Sequence, residues 1–293
     1  MTPFEEKYKA AFITFHADYD AGALEAKPLA PSLALQTRSS TSEEGYAWLA
    51  QSSGLREWLG DRQFHALTLS GFTIKNKDFE HTITVSRNDI EDDKIGVLSG
   101  AFKMMGYDAA SHPDSLLFDL ISRGTVEKCY DGRAFFSANH AAPTPGNKTA
   151  TASNVDLANA DDTPTWYLLD TTKAIKPFIL QTRKDYTFTA LDKEGDAPVF
   201  MKGENVYGVT GRLNAGFGLW QLAYASSQPL TADNLAAADA SMMGLKAPTG
   251  KPLGIAANIL LVAPSQKSNA LKLLNLDTSE YKGAFELIVC PWL

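Results

Sequence analysis

At 293 residues, with 44% hydrophobic and 21% charged residues, the chain has the make-up of a globular protein of one large domain or two subdomains. A formal net charge of -7 and the lack of any Lys/Arg block exclude a protein whose main task is to grip nucleic acid, which needs a basic patch to displace counterions. No apolar run approaches the roughly 20 residues of a membrane span, the N-terminus lacks the regions of a signal peptide, and Cys129 and Cys290 stand far apart with no CxxC, which points to a reducing compartment.

Thr2-Pro3 opens a predicted helix whose apolar residues Phe4, Tyr8, Ala11, Phe12 and Phe15 recur at helical spacing. Residues 21–41, rich in Ala, Pro, Ser and Leu, read as an extended arm. Trp48 and Trp58 sit in two short aromatic segments, where core or interface packing is the expected role. From Phe72 the period changes to two. Phe72, Ile74, Phe79, Ile83 and Val85 share one face, Thr, Lys and Glu occupy the other, and Asn76-Lys-Asp78 reads as the turn of a hairpin.

At Asn88 the pattern turns helical, with Asn88 and Glu91 spaced as a capping box and Asp89, Asp92 and Asp93 suited to the positive end of the helix dipole. Val97, Leu98, Ala101, Phe102, Met104, Met105 and Ala109 form the expected apolar stripe. Pro113 is expected to break the helix and start a second one carrying Leu116, Leu117, Leu120 and Ile121, ended by Gly124. Residues 138–162 read as a long surface loop. Beyond them come an ordered Trp166–Asp170 segment, strands near 178–183, 199–200 and 207–212, and a helix over 235–245. A buried strand over 259–262, a helix over 268–276 and a last strand over 285–290 complete the chain. Helices and strands without strict alternation predict an α+β fold.

Chemistry is sparse. The acidic cluster from Asp89 to Asp93 lacks the spaced oxygen ligands and the Gly of a calcium loop, so capping explains it better. Cys129, Asp131 and His140 lie close in sequence and invite a cysteine-nucleophile reading, but no protease signature flanks them. His112-Pro-Asp114 is read as a helix cap, and the Gly-rich stretch 211–218 as a turn with close backbone packing rather than a phosphate loop. The five histidines show no metal-ligand spacing. No enzyme, cofactor or metal site is expected.

Several blocks, in order along most of the chain, resemble the major head subunit of Mu-like phages and prophages. They are Phe72-Thr-Ile-Lys-Asn-Lys-Asp-Phe-Glu80, Val85-Ser-Arg-Asn-Asp-Ile-Glu-Asp-Asp-Lys94, His112-Pro-Asp114, and Cys129-Tyr-Asp-Gly132 with Phe135, Phe136 and His140. Further on come Trp166-Tyr-Leu-Leu-Asp170, Lys176-Pro-Phe178 with Gln181 and Arg183, Tyr207-Gly208, residues 212–223, and Leu253-Gly254 before Leu261-Val-Ala-Pro264. The match is weakest over residues 1–67.

The resemblance implies a major capsid protein of the Hong Kong 97 fold. It places an N-terminal arm region at 1–62, an E-loop hairpin at 63–87 and a spine helix at 88–124, capped by Asn88 and Glu91. A mainly axial domain is placed at 125–247 and a return to the peripheral domain at 248–293. It implies contacts between copies through Phe72, Ile74, Lys75, Asn76, Lys77, Asp78, Phe79 and Arg87. It also implies assembly in a bacterial host cytoplasm into hexamers and pentamers of a virion capsid, with scaffold, protease and portal proteins as partners and packaged DNA met non-specifically. Relatives are expected to continue with another strand past Pro291-Trp-Leu293. An encapsulin-like cellular shell is the alternative of the same fold, and a cysteine-dependent enzyme the alternative of another class.

Overall fold

The computed structural model describes residues 3–46, 72–92, 94–158, 163–275 and 281–293. Trp48, Trp58 and the 63–71 part of the predicted hairpin lie outside the described residues. The chain opens with helix α1 (Pro3–Glu25), one turn of helix α2 (Ala30–Leu33) and strand β1 (Ala34–Arg38). The expected extended arm is therefore mostly regular structure. Its alanines and leucines are good helix formers, and Ala26, Ala30, Leu33 and Ala34 are buried.

Strands β2 (Glu43–Gly45), β3 (Thr73–Lys75) and β4 (Lys77–Ser86) come next. The hairpin predicted to turn at Asn76 does not form. Strand β3 pairs antiparallel with β2, Glu43 opposite Lys75, while β4 pairs with a strand from the distant 204–213 stretch. Asn76 is tied to the N-terminal segment instead: its side-chain amide donates to Ser39 Oγ at 2.9 Å and to the Thr41 carbonyl at 3.0 Å. Alternation identifies strands, but it says nothing of which strand is the neighbour.

Helix α3 (Arg87–Glu91) and the 28-residue helix α4 (Ile95–Ser122) follow. The predicted Asn88/Glu91 capping box is replaced by a cap two residues earlier, where Ser86 Oγ accepts from the Asn88 N–H at 3.3 Å. Glu91 pairs with Arg87 one turn back, at 2.8 Å. Helix α4 passes through Pro113 without ending. A proline inside a helix removes one backbone bond and crowds the carbonyl four residues earlier, a cost of about 3 kcal/mol. Tertiary contacts offset it. The Asp114 carboxylate accepts from the N–H groups of Leu29 and Ala30 at 2.8 and 2.7 Å, so it caps α2 rather than its own helix.

The chain continues through β5 (His140–Ala141), β6 (Thr151–Ala152), β7 (Val155–Asp156), β8 (Trp166–Leu169), β9 (Phe178–Leu191), α5 (Ala197–Lys202) and β10 (Glu204–Phe217). The last elements are β11 (Ala223–Ser226), α6 (Ala232–Met243), β12 (Ile259–Val262), α7 (Lys267–Asn275) and β13 (Glu286–Val289). Most of these match expectation. Three do not: Val199 and Phe200 fall in a helix, the 211–218 stretch is the end of a strand rather than a turn, and the expected 138–162 loop carries three short strands. Close backbone packing at Gly211 does hold, since a Cβ there would lie 2.6 Å from the Tyr186 ring.

Two larger sheets result, with strand orders β1-β9-β10-β4 and β13-β12-β8-β11-β7. Strands β12 and β13 join the sheet of β8 and β11, so the expected division at 247/248 does not separate the sheets. The reason is visible in β8 and β12. Trp166, Leu168, Leu260 and Val262 face one core, Tyr167, Leu169, Ile259 and Leu261 the other, and continuous apolar runs of this kind belong in the middle of one sheet. Helices α6 and α7 cover one of its faces through Leu235, Met242, Ala270 and Leu274.

Helix α4 bridges two cores. Its N-terminal half places Phe102, Met105 and Ala109 with α1 and the four-stranded sheet, where Phe15 stacks on Phe102 at 4.0 Å. Its C-terminal half places Leu117, Phe118 and Ile121 in the core between the sheets. Val97 and Met104, expected in the stripe, are 83% and 63% exposed instead. Helices α1 and α4 meet backbone to backbone: a Cβ at Gly106 would overlap the Tyr19 carbonyl, and one at Gly22 the Lys103 carbonyl. Gly106→Ala is therefore expected to cost about 1–3 kcal/mol of subunit stability. Gly100→Ala, where nothing lies within 4 Å, should be neutral or stabilising through helix propensity. Thermal unfolding of the two variants checks both.

Candidate functional site

The residues expected to touch neighbouring copies separate into two groups. Ile74 is buried in its own chain with Tyr46 and Ile179, its side chain filling the space over Gly216. Asn76 accepts from Gln181 Nε2 at 2.8 Å, within a buried network in which the Tyr46 hydroxyl donates to Gln181 Oε1 at 2.8 Å. That network joins β3 to β9. Phe72 and Phe79 are half-buried against the core between the sheets, and Arg87 pairs with Glu91. Lys75, Lys77 and Asp78 remain exposed. Asp78 and Phe79 line an open groove with Arg183, Lys184 and Arg212. The Tyr46 N–H donates to the Phe72 carbonyl at 3.0 Å, so these two residues lie side by side at the end of the β2/β3 ladder.

His112 and Tyr186 link α4 to β9. The Tyr186 hydroxyl lies 2.7 Å from His112 Nδ1, and Phe79 meets the imidazole edge-on at 4.3 Å. Gly211 leaves the room in which the Tyr186 ring lies. Burial, reinforced by Tyr19, pushes the Tyr186 phenol up to about 12, so it stays protonated and is assigned as the donor. Burial also lowers the His112 pKa, keeping the ring neutral as the acceptor.

The structure brings Cys129, Asp131 and His140 together. Cys129 Sγ donates to Asp131 Oδ1 at 3.2 Å, and His140 Nδ1 lies 2.6 Å from Asp131 Oδ2. His140 is completely buried and stacks on the Trp220 indole at 4.0 Å. Burial alone would raise the Asp131 carboxyl, but its contact with His140 and the hydrogen bonds from the Arg133 N–H and Cys129 outweigh it and hold the group below its ordinary value. Burial pushes the Cys129 thiol up to about 12. A nucleophilic cysteine needs a lowered pKa and access to substrate, and Cys129 has neither. Proximity in sequence found this cluster, but its burial was not legible there. Asp114 and Gln181 were missed as organising residues because their partners lie far away along the chain.

A family model described as Mu-like prophage major head subunit gpT matches residues 8–293. The chain belongs to this family. It is 36% identical over 273 residues to the Mu-like prophage FluMu major head subunit of Haemophilus influenzae, across 92% of this chain and 89% of that one. It is 34% identical over 299 residues to the major capsid protein of Escherichia phage Mu, across 97% of both. Among solved structures, a chain from the procapsid of bacteriophage JBD30 superposes with a TM-score of 0.86 at 35% identity, covering 100% of both chains. A chain of the JBD30 capsid gives 0.76 at 26% identity and 91% coverage of each.

The Mu-like head subunit thus has the α+β phage capsid fold, and it is a structural capsid protein rather than an enzyme. Among the described residues no helix is long and apolar enough to cross a membrane. The His112 contact gives its stability a pH dependence. The unfolded chain takes up the proton first, near pH 6.5, so this contribution is present above that value and lost as pH falls through the lowered folded value. The unfolding midpoint of the unassembled head subunit should drop between pH 7.5 and 5.5. His112→Gln should flatten that drop while costing about 1 kcal/mol at pH 7.5.

Proposed function

We propose that this head subunit forms hexamers and pentamers that tile an icosahedral shell around DNA, assembled in a bacterial host cytoplasm with scaffold, protease and portal proteins. The observation that carries the reading is the end-to-end correspondence with a chain of a phage procapsid. In this reading the four-stranded sheet with α1 and α4 is the peripheral body, and the five-stranded sheet with α6 and α7 is the axial one. Lys75, Lys77 and Asp78 contact a neighbouring copy, with the ladder of β2 and β3 as the base of the E-loop. The exposed apolar side chains Val97 and Met104 on α4, and Phe200 and Met201 on α5, supply further surface for neighbours to cover. The acidic balance suits a shell whose contents must move, because a surface with more carboxylates than cations does not hold the phosphates of packaged DNA.

Electron microscopy of the protein expressed with its scaffold should show shells, tubes or capsomers. A stable monomer at high concentration with scaffold present would count against the proposal. The double variant Phe200→Ser, Met201→Ser should leave the unassembled subunit within about 0.5 kcal/mol of wild-type stability, as exposed changes do. It should nonetheless lower the yield of closed shells in the same micrographs.

A further inference from the structure

Both ring nitrogens of the buried His140 face acceptors. Nδ1 lies 2.6 Å from Asp131 Oδ2, and Nε2 lies 3.1 Å from the Phe135 carbonyl oxygen. A neutral imidazole carries one ring proton. The Phe135 carbonyl is held in place, because it also accepts from Asn154 Nδ2 at 2.8 Å. A proton on Nε2 satisfies that carbonyl and leaves the Nδ1 lone pair aimed at a carboxylate oxygen. With the proton on Nδ1 instead, the Nε2 lone pair faces the carbonyl, so either neutral form leaves one acceptor facing a lone pair. A positive species between Nδ1 and Asp131 relieves the closer contact.

A second ring proton would meet that need using His140 and Asp131 alone. A third donor, the Cys129 sulfur, sits where a metal could take it up together with the other two. Cys129 Sγ lies 3.2 Å from the other oxygen of the same carboxylate, and one donor atom from each of the three residues lies within 4.8 Å of the others. We propose that Cys129, Asp131 and His140 form a binding site for a thiophilic divalent metal ion, with Zn2+ the best match to its sulfur, oxygen and nitrogen donors.

The surroundings are those of a metal site. A metal-ligating histidine donates its other N–H to a backbone carbonyl, as His140 Nε2, 3.1 Å from the Phe135 carbonyl oxygen, is placed to do. The Asp131 carboxylate is held by the Arg133 N–H at 2.9 Å, and Trp220 stacks on the imidazole with the ring planes only 5° apart. The charges also balance. A divalent cation with one thiolate, one carboxylate and one neutral imidazole makes a neutral buried cluster. Binding breaks the Cys129 S–H bond and displaces any proton held between His140 and Asp131, and the protons leave to solvent. A coordinating thiol is ionised once a divalent cation lies beside it. Three protein ligands leave a fourth position for water beside Asp131, whose side chain is 15% exposed. The ion would clamp the segment between Cys129 and His140 onto Trp220, a structural role.

The test uses the full-length unassembled subunit, stripped with a chelator and titrated with Zn2+ and separately with Co2+, so its outcome does not depend on shell formation. Elemental analysis should find one Zn2+ per chain, and Co2+ should produce a thiolate-to-metal charge-transfer band in the near ultraviolet. Cys129→Ser and His140→Gln should each weaken binding by about tenfold or more and abolish the band. Cys290→Ser, which changes the other buried thiol, should retain both. Wild-type protein that binds no stoichiometric Zn2+ and shows no cobalt–thiolate band would overturn the proposal, and that measurement needs no variant to fold. Binding that survives Cys129→Ser and His140→Gln unchanged would also overturn it.

Discussion

Helix α4 runs for 28 residues through a proline, and the two cores of the subunit are assembled on its two halves. Upstream of Pro113, Phe102, Met105 and Ala109 belong to the core shared with α1 and the four-stranded sheet. Downstream, Leu117, Phe118 and Ile121 belong to the core between the sheets. If the helix ended at the proline, as its local chemistry favours, the cores would hang on two short helices joined by a flexible link. The residues that flank the proline resist that. Asp114 caps α2 and His112 is hydrogen-bonded to Tyr186 on β9, so both neighbours of the proline are fastened to other elements. The crossing of α1 over α4 adds a third restraint. Glycine at 22 and 106 lets the two backbones touch, and this closeness makes the N-terminal segment part of the body of the subunit.

The cluster of Cys129, Asp131 and His140 shows how little a list of reactive residues decides. The same three side chains would be a nucleophile, an orienting acid and a base if they lined an open cleft. Here the imidazole is sealed against an indole, and without a metal ion the thiol is held mainly by burial in its protonated form. What remains is a compact polar knot between a loop and the hydrophobic core. Buried polar groups of this kind are tolerated when each has a partner, and they hold the surrounding loop to one geometry.

In the proposed shell, features that look like faults in a monomer become surface for neighbouring copies to cover. Phe200 and Met201 on a short surface helix are 83% and 78% exposed, and Val97 and Met104 stand out from α4. Single exposed apolar residues need no explanation, but repeated ones on regular elements of a capsid protein are surface that solvent covers poorly. The polar network of Tyr46, Gln181 and Asn76 does the opposite work, fixing the ends of β2 and β3 against β9.

Much of the chain was legible from local pattern. That pattern located β4, β9, α6, β12, α7 and β13 and marked β8 as an ordered segment, because burial on one or two faces writes a direct signature into the residues of one element. The family resemblance, read from blocks along the chain, carried the capsid fold and function that composition alone left open. Tertiary structure decided what depends on partners distant in sequence. It paired β3 with β2 rather than with β4, because Asn76 is tied to the segment near Ser39. It placed β12 and β13 in the sheet of β8, and carried α4 through Pro113. It turned Ile74 inward, left Met104 outside, and closed Trp220 over His140. Each of these outcomes compares the energy of one long-range contact with that of a local preference, and a sequence read in windows contains only the second.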